Sequence, residues 1–354
     1  MQDYSGQYLG NYYLRKRIEA GKFTTSYDAE DSQHDSLLTI TVFPSCPSNI
    51  EQLHFLKRAE AISKLQLPSI RSINDFDIHK GIPFIVTTAS ALPTMQQCYP
   101  PGARLDKHVM LKYSRECADA LQFAHDNQVV HGCINHEAIR IDLRSTHLQI
   151  DFSLAFLNLP FYAQLIKQQA EYVAYMAPEQ FSNRLLPASD QYALGILIYQ
   201  MLSGNEPFQG SSDEIKQKQL AVPPPSLGRK VANISPYLEE VIEIALAKDP
   251  TGRFKSIQAF RTALESAIDY QPTSLPTENT YRIPQRPHWI DGLEGHMGDF
   301  DTNLLKERDP EVLPEPIRQM LPSVEKLQDA PKKRSLRRTF LSLFTQLYRT
   351  LSML

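Results

Sequence analysis

His131-Gly132-Cys133-Ile134-Asn135-His136-Glu137-Ala138, Asp151-Phe152-Ser153 and Tyr175-Met176-Ala177-Pro178-Glu179-Gln180 punctuate the middle of this chain. Val129-Val130-His131 and Leu148-Gln149-Ile150-Asp151 read as short strands on either side of the first polar run. Downstream, apolar residues recur with helical period over 188–203 and 236–247, and upstream over 109–127. Ahead of these helices the pattern is of strands. Tyr12-Tyr13-Leu14 and Ser26-Tyr27-Asp28-Ala29 flank a turn at Gly21, and Leu37 to Phe43 and Pro83-Phe84-Ile85-Val86-Thr87 follow. Ser48-Asn49-Ile50-Glu51 has capping-box spacing before Leu53, Leu56, Ile62 and Leu65, which predicts a helix of about four turns. The order implies an α+β chain in which a small β-rich lobe precedes a larger helical one.

Composition bounds the rest. The chain has 354 residues, 42% hydrophobic and 22% charged, with a formal net charge of −3, which excludes a uniformly basic nucleic-acid binder. Cys46, Cys98, Cys117 and Cys133 stand far apart with no CxxC pair, so neither a zinc site nor a disulfide framework is suggested. A reducing, cytoplasmic setting is the expectation. No stretch approaches 18 consecutive apolar residues, and the first residues lack the apolar core of a signal peptide. The periodic segments end near residue 270. Residues 271–331 carry nine prolines and few apolar positions, a linker composition.

The last 23 residues, from Lys332, hold six basic side chains and no acidic one. On a helix, Leu336, Phe340, Leu343, Leu347, Leu351 and Leu354 would fall within about 80° of one another, opposite Arg338, Ser342, Thr345 and Arg349. Without these six basic residues the 37 Lys+Arg fall to 31 against 40 Asp+Glu, so the near-neutral average hides an acidic body and a cationic end. Residues 332–354 are expected to dock on an anionic membrane surface, on their own domain or in a partner's groove. The first of these would place the protein peripherally at the inner face of the membrane.

In its ordered motifs the chain resembles the eukaryotic-type serine/threonine protein kinases of bacteria. Residues 131–138 sit where that family has H-R-D-L-K-P-E-N, Asp151-Phe152-Ser153 where it has D-F-G, and Tyr175 to Gln180 match Y-M-A-P-E-Q. Asp190-Gln191-Tyr192-Ala193-Leu194-Gly195 resembles D-x-Y-S-L-G, and Ala247 to Phe254 ends the series. The resemblance implies a two-lobed kinase fold over residues 8–270, with an N-lobe of about 8–87 and a C-lobe of about 92–270. It also implies ATP and Mg²⁺ as the family's cofactors. By resemblance, His131 organises its loop, Glu179 and Arg253 form an ion pair, Asp190 holds the catalytic loop, and Gly21, Lys22, Thr87 and Ala89 lie at nucleotide-binding positions.

The chemistry of the family fares differently. Phosphoryl transfer needs a glycine-rich loop, a strand lysine paired with a helix glutamate, a hydroxyl-orienting aspartate, and an Asn and an Asp for the metals. Here G-x-G-x-x-G falls on Glu19, Gly21 and Thr24; the lysine position holds Thr41 and the glutamate position Arg58. Cys133 replaces the aspartate, Asn135 the loop lysine and Ala138 the metal-binding asparagine. Of the metal ligands Asp151 alone is kept. The expectation is a catalytically impaired homologue, a pseudokinase, that binds or regulates a protein partner. The alternatives are a divergent active Ser/Thr kinase using Lys22 and Asp151, and an ATP-binding switch without phosphoryl transfer.

Overall fold

The computed structural model describes residues 2–31, 37–46, 48–90 and 92–268. Its first lobe is one antiparallel sheet of β1 (Tyr8–Leu9), β2 (Tyr12–Ala20), β3 (Thr25–Asp31), β4 (Leu37–Val42), β5 (Ile73–His79) and β6 (Ile82–Thr88), in the order β1-β2-β3-β4-β6-β5. Strands β5 and β6 are joined at Lys80-Gly81, both at positive φ (50° and 78°), the backbone of a tight two-residue hairpin. Between β4 and β5 runs α1 (Asn49–Ser63). Its N-terminus carries the Ser48–Glu51 capping box, and Phe55, Ala59 and Ile62 form its buried face.

The second lobe is helical: α2 (Met95–Cys98), α3 (Lys107–Asp126), then the small hairpin of β7 (Ile139–Ile141) and β8 (Leu148–Ile150). A 3₁₀ segment, Phe152–Asn158, leads into α4 (Pro160–Ile166) and α5 (Ala170–Val173). After another 3₁₀ turn at Pro178–Ser182 come α6 (Pro187–Ser203), α7 (Ser212–Ala221), α8 (Pro236–Ala245) and α9 (Ile257–Ala267). Helix α6 is apolar around most of its circumference and buried along nearly its whole length, the pattern of a central core helix. Gly204, at φ +87°, ends it in the left-handed conformation.

The strands and helices expected around Gly21, after Ser48 and over 109–127, 188–203 and 236–247 are present with small changes of boundary. One element is corrected: residues 129–131 form no strand. The Val130 carbonyl accepts from Arg58, and the His131 amide donates to the Asp190 side chain at 2.8 Å, so side chains replace a strand ladder there. Strands β5 and β7 and helices α4, α5, α7 and α9 add to the sequence reading. The linker 271–331 and the tail 332–354 lie outside the described residues. Among the described residues no helix is long and apolar enough to cross a membrane.

Candidate functional site

The loop between α3 and β7 is tied down by one fully buried carboxylate. Asp190, in the first turn of α6, accepts from the backbone amides of His131 (2.8 Å) and Gly132 (2.5 Å) and pairs with His125 Nε2 at 2.8 Å. Burial alone would raise its carboxyl; these donors outweigh burial and hold it below its ordinary value. His131 accepts from the Cys133 amide on Nδ1 (3.2 Å) and approaches the Asp151 carbonyl with Nε2 (3.2 Å), which assigns a neutral ring with its proton on Nε2. Burial pushes its pKa down, in keeping with a structural imidazole. Gly132 stands at φ +74°, a left-handed conformation that strains a residue with a Cβ, and a Cβ there would press on the side-chain ends of Leu185 (2.5 Å) and Asn158 (2.9 Å). Asn135 Oδ1 accepts from the Glu137 and Ala138 amides, both at 3.0 Å, and so turns the chain into β7.

Behind this loop Glu179 and Arg253 form a two-pronged ion pair, with Nη1–Oε1 and Nη2–Oε2 both 2.8 Å, at side-chain exposures of 3% and 0%. Arg253 also donates to the carbonyls of Ala247 (2.8 Å) and Ala188 (2.7 Å), and Ser189 Oγ donates to Glu179 (2.8 Å). Every oxygen and nitrogen of this pair is therefore answered, which a buried ion pair requires.

The cleft between the lobes is built from charges of alternating sign. Asp151 follows β8 and is buried, and its Oδ2 receives Arg71 Nη1 at 2.8 Å and Arg140 Nε at 3.2 Å, while Oδ1 caps the Ser153 amide at 2.9 Å. Burial would raise this carboxyl, but the two guanidinium groups hold it well below the carboxylate range. Arg71 continues to the Thr88 carbonyl (3.1 Å) at the end of β6, and Arg140 to the Leu92 carbonyl (3.2 Å) and to within 4.0 Å of Glu19.

The remaining sequence-predicted positions are engaged elsewhere. Thr41 is buried and its Oγ1 lies 3.1 Å from Ser26 Oγ. Arg58 reaches the Val130 carbonyl, not Thr41. Thr87 Oγ1 donates to the Thr39 carbonyl (3.3 Å), and the Ala89 amide to the Leu37 carbonyl (3.4 Å). Gly21 lies in the exposed turn between β2 and β3, outside the left-handed region. Lys22 turns down to the second lobe, pairing with Glu171 and donating to Gln169 Oε1 at 2.9 Å. Beside it Phe23 meets Tyr172 with ring centres 5.6 Å apart, in a cluster with Cys133, Leu157, Ile166 and Met176. The space next to Cys133 is about 10 Å³, room for roughly one water. Burial raises the Cys133 thiol to about 12, so it is protonated at neutral pH and is no nucleophile.

A sheet lobe, a helical lobe, the Asp190-held loop and the Glu179–Arg253 pair fall in one order along one chain, and residues 12–264 match the protein kinase domain model. The chain belongs to the protein kinase family. Over 264 residues it is 28% identical to the Serine/threonine-protein kinase PrkC of Bacillus subtilis, covering 73% of this chain and 41% of that protein. Over 278 residues it is 30% identical to the Serine/threonine-protein kinase Pkn1 of Myxococcus xanthus, covering 74% and 39%. The chain thus spans well under half the length of these curated relatives. The crystal structure of the Mycobacterium tuberculosis PknI kinase domain superposes with a TM-score of 0.61 at 20% identity, covering 75% of this chain and 99% of that one.

Measured against the needs of a kinase, the residues present do not fit Mg²⁺-nucleotide. Magnesium takes carboxylate oxygens together with phosphates and water; here the one retained carboxylate is shared by two arginines, and Ala138 offers no ligand. Among the described residues no group of three or more His, Cys, Asp or Glu side chains is arranged to hold a metal ion. Arg71 and Arg140 escaped the sequence reading. Their signal was a lone arginine in a largely apolar run, Ile70-Arg71-Ser72-Ile73 and Ile139-Arg140-Ile141, at places where a charge must find a buried partner.

Proposed function

We propose that this protein kinase family member does not transfer phosphate and acts as a binding or regulatory module for a protein partner. The observation that carries the reading is the capture of Asp151 by Arg71 and Arg140. The single metal-ligand position kept in the sequence is neutralised by two guanidinium groups from within the chain. Among the described residues no side chain at the family's catalytic positions is placed to supply the missing chemistry. Cys133 is a protonated thiol without a basic partner, Thr41 bonds within the sheet, and Lys22 is engaged by Glu171. A positioned base contributes roughly 10²- to 10⁴-fold to catalysis, and charge neutralisation at the phosphates accounts for most of the remainder.

The test is transfer of labelled phosphate from Mg²⁺-ATP to the protein itself and to a general basic acceptor protein, beside an active bacterial kinase. No incorporation above the no-enzyme level is expected. Incorporation that Asp151→Asn abolishes would overturn the reading and favour the divergent enzyme.

A further inference from the structure

The arginines do more than neutralise Asp151. We propose that Arg71 and Arg140, with Glu19, form an internal substitute for Mg²⁺-nucleotide that fills the cleft and holds the two lobes together. The proposal rests on the reading of the chain as a kinase fold without phosphoryl transfer and deepens it, by naming what stands in the nucleotide's place.

The geometry follows the path a bound nucleotide would take. In a kinase the glycine-rich loop covers the phosphates, and the aspartate after the small hairpin holds the metal beneath them. In this chain the glycine-rich position Glu19 presents a carboxylate from above, and Asp151 presents one from below. Arg140 lies between, with its Nε 3.2 Å from Asp151 and its Nη2 4.0 Å from Glu19. The Glu19 carboxylate, 57% exposed, thus comes from the loop that covers phosphates in a kinase, and the Arg140 guanidinium lies between it and the metal-ligand aspartate. Arg71 and Arg140 together bring two positive charges to Asp151, the charge of one Mg²⁺.

At the other end both arginines finish on backbone carbonyls of the connector between the lobes, Arg71 on Thr88 (3.1 Å) and Arg140 on Leu92 (3.2 Å). Each arginine therefore runs from the connector to the metal-ligand aspartate. Arg71 and Asp151 have side-chain exposures of only 7% and 6%, so the pair acts in a low-dielectric setting and is not displaced cheaply. Lysine would make a poorer link, because its donors all sit on one nitrogen, whereas the planar guanidinium sends Nη1 to the acid and Nη2 to the carbonyl.

The link also closes the cleft mechanically. Arg71 belongs to the segment between α1 and β5 in the first lobe, and Asp151 to the second. At the back the pair adds to a backbone bridge, in which the Arg71 amide donates to the Ile150 carbonyl (2.9 Å) and the Ile150 amide to the Ser69 carbonyl (2.8 Å), while Lys22–Glu171 and Phe23–Tyr172 join the lobes at the mouth. In a working kinase a ligand between the lobes is bound and released; here the groups that make the corresponding contacts belong to the chain itself.

The experiment uses the full chain and a fluorescent ATP analogue as probe, with and without Mg²⁺, on the wild type, Arg71→Leu/Arg140→Leu and the milder Arg71→Lys. The double variant is expected to bind the probe at least about tenfold more tightly than the wild type, in competition with ATP. Arg71→Lys, which keeps the charge and loses the fork, should lower the melting temperature and admit the probe to a smaller degree. Should the double variant fail to fold, Arg71→Lys alone decides the matter. Wild-type affinity equal to that of a folded variant would overturn the proposal, as would Arg71→Lys with unchanged melting temperature and unchanged probe binding. A wild type that binds the probe as tightly as the folded double variant yet transfers no phosphate defeats the substitute and leaves the proposed function standing. Phosphate transfer by the wild type defeats the proposed function itself.

Discussion

Two buried carboxylates in this molecule are each answered by arginine, and they lie in regions with opposite histories. Glu179 and Arg253 join the loop before α6 to the segment after α8, inside one lobe, with both prongs at 2.8 Å. Asp151 shares one oxygen between two arginines in the cleft between lobes. The first pair sits at positions the kinase family itself carries and supports the fold. The second places two arginines on the metal-ligand aspartate and, on the proposed function, takes that group out of service. The same interaction thus supports the architecture in one place and, on the proposed function, closes the reaction site in the other.

The largest effect is expected from breaking the first pair. Arg253→Met leaves Glu179 charged and without its partner inside the lobe, and should cost about 3 to 5 kcal/mol in urea unfolding. Removing Arg71 alone should cost less, because Asp151 keeps Arg140. If the two losses were equal, the contrast between a fold-supporting and a cleft-filling pair would collapse. Gly132→Ala probes the loop that lies between the two regions. A Cβ at 2.5 Å from Leu185 and a left-handed φ predict a loss of roughly 1 to 3 kcal/mol, again by urea unfolding.

Lys248 sharpens the comparison through pH. Its ammonium lies 4.5 Å from the centre of the Phe208 ring and next to Arg253, and burial followed by repulsion from Arg253 lowers its pKa to about 7 from 10.5. A cation depressed by folding costs stability, in full below about pH 7, and the cost fades as pH rises towards 10.5. Lys248→Met should therefore raise stability at neutral pH and flatten the rise in stability between pH 7 and 10, measured by melts across that range. Asp151 and Glu179 have the opposite sign. Their carboxyls are held low, so the stability they contribute is present at neutral pH and is lost as pH falls below about 4 and through their folded values.

The smallest effect is expected at the cleft mouth. Lys22 and Glu171 are 56% and 37% exposed, so Lys22→Ala should change unfolding free energy by less than about 0.5 kcal/mol. A loss above about 2 kcal/mol would show that the mouth, and not the arginine pair, carries the closure.

Much of the fold was legible because local signals agreed: the Ser48–Glu51 box, the long apolar run of α6, and the turn at Gly21 each mark an element within a few residues. Short helices were not. Helix α4 has seven residues and only Pro160 at its start to announce it, and α5 has four, so neither fills enough turns to show a period. Residues 129–131 misled because an apolar pair resembles a strand until the partners of its backbone groups are known. At the site, the identities at 41, 58, 133, 135 and 138 could be read directly against the motifs. What could not be read was the company Asp151 keeps. Arg71 is 80 residues away in sequence, and the contact exists only once both lobes are assembled.

The most direct measurement is the melting temperature of the wild-type chain titrated with ATP to millimolar concentration, with and without Mg²⁺. The account predicts no shift under either condition, because Arg71 and Arg140 already pair with Asp151 in the cleft. A saturable, Mg²⁺-dependent rise with a midpoint below about 1 mM would contradict it.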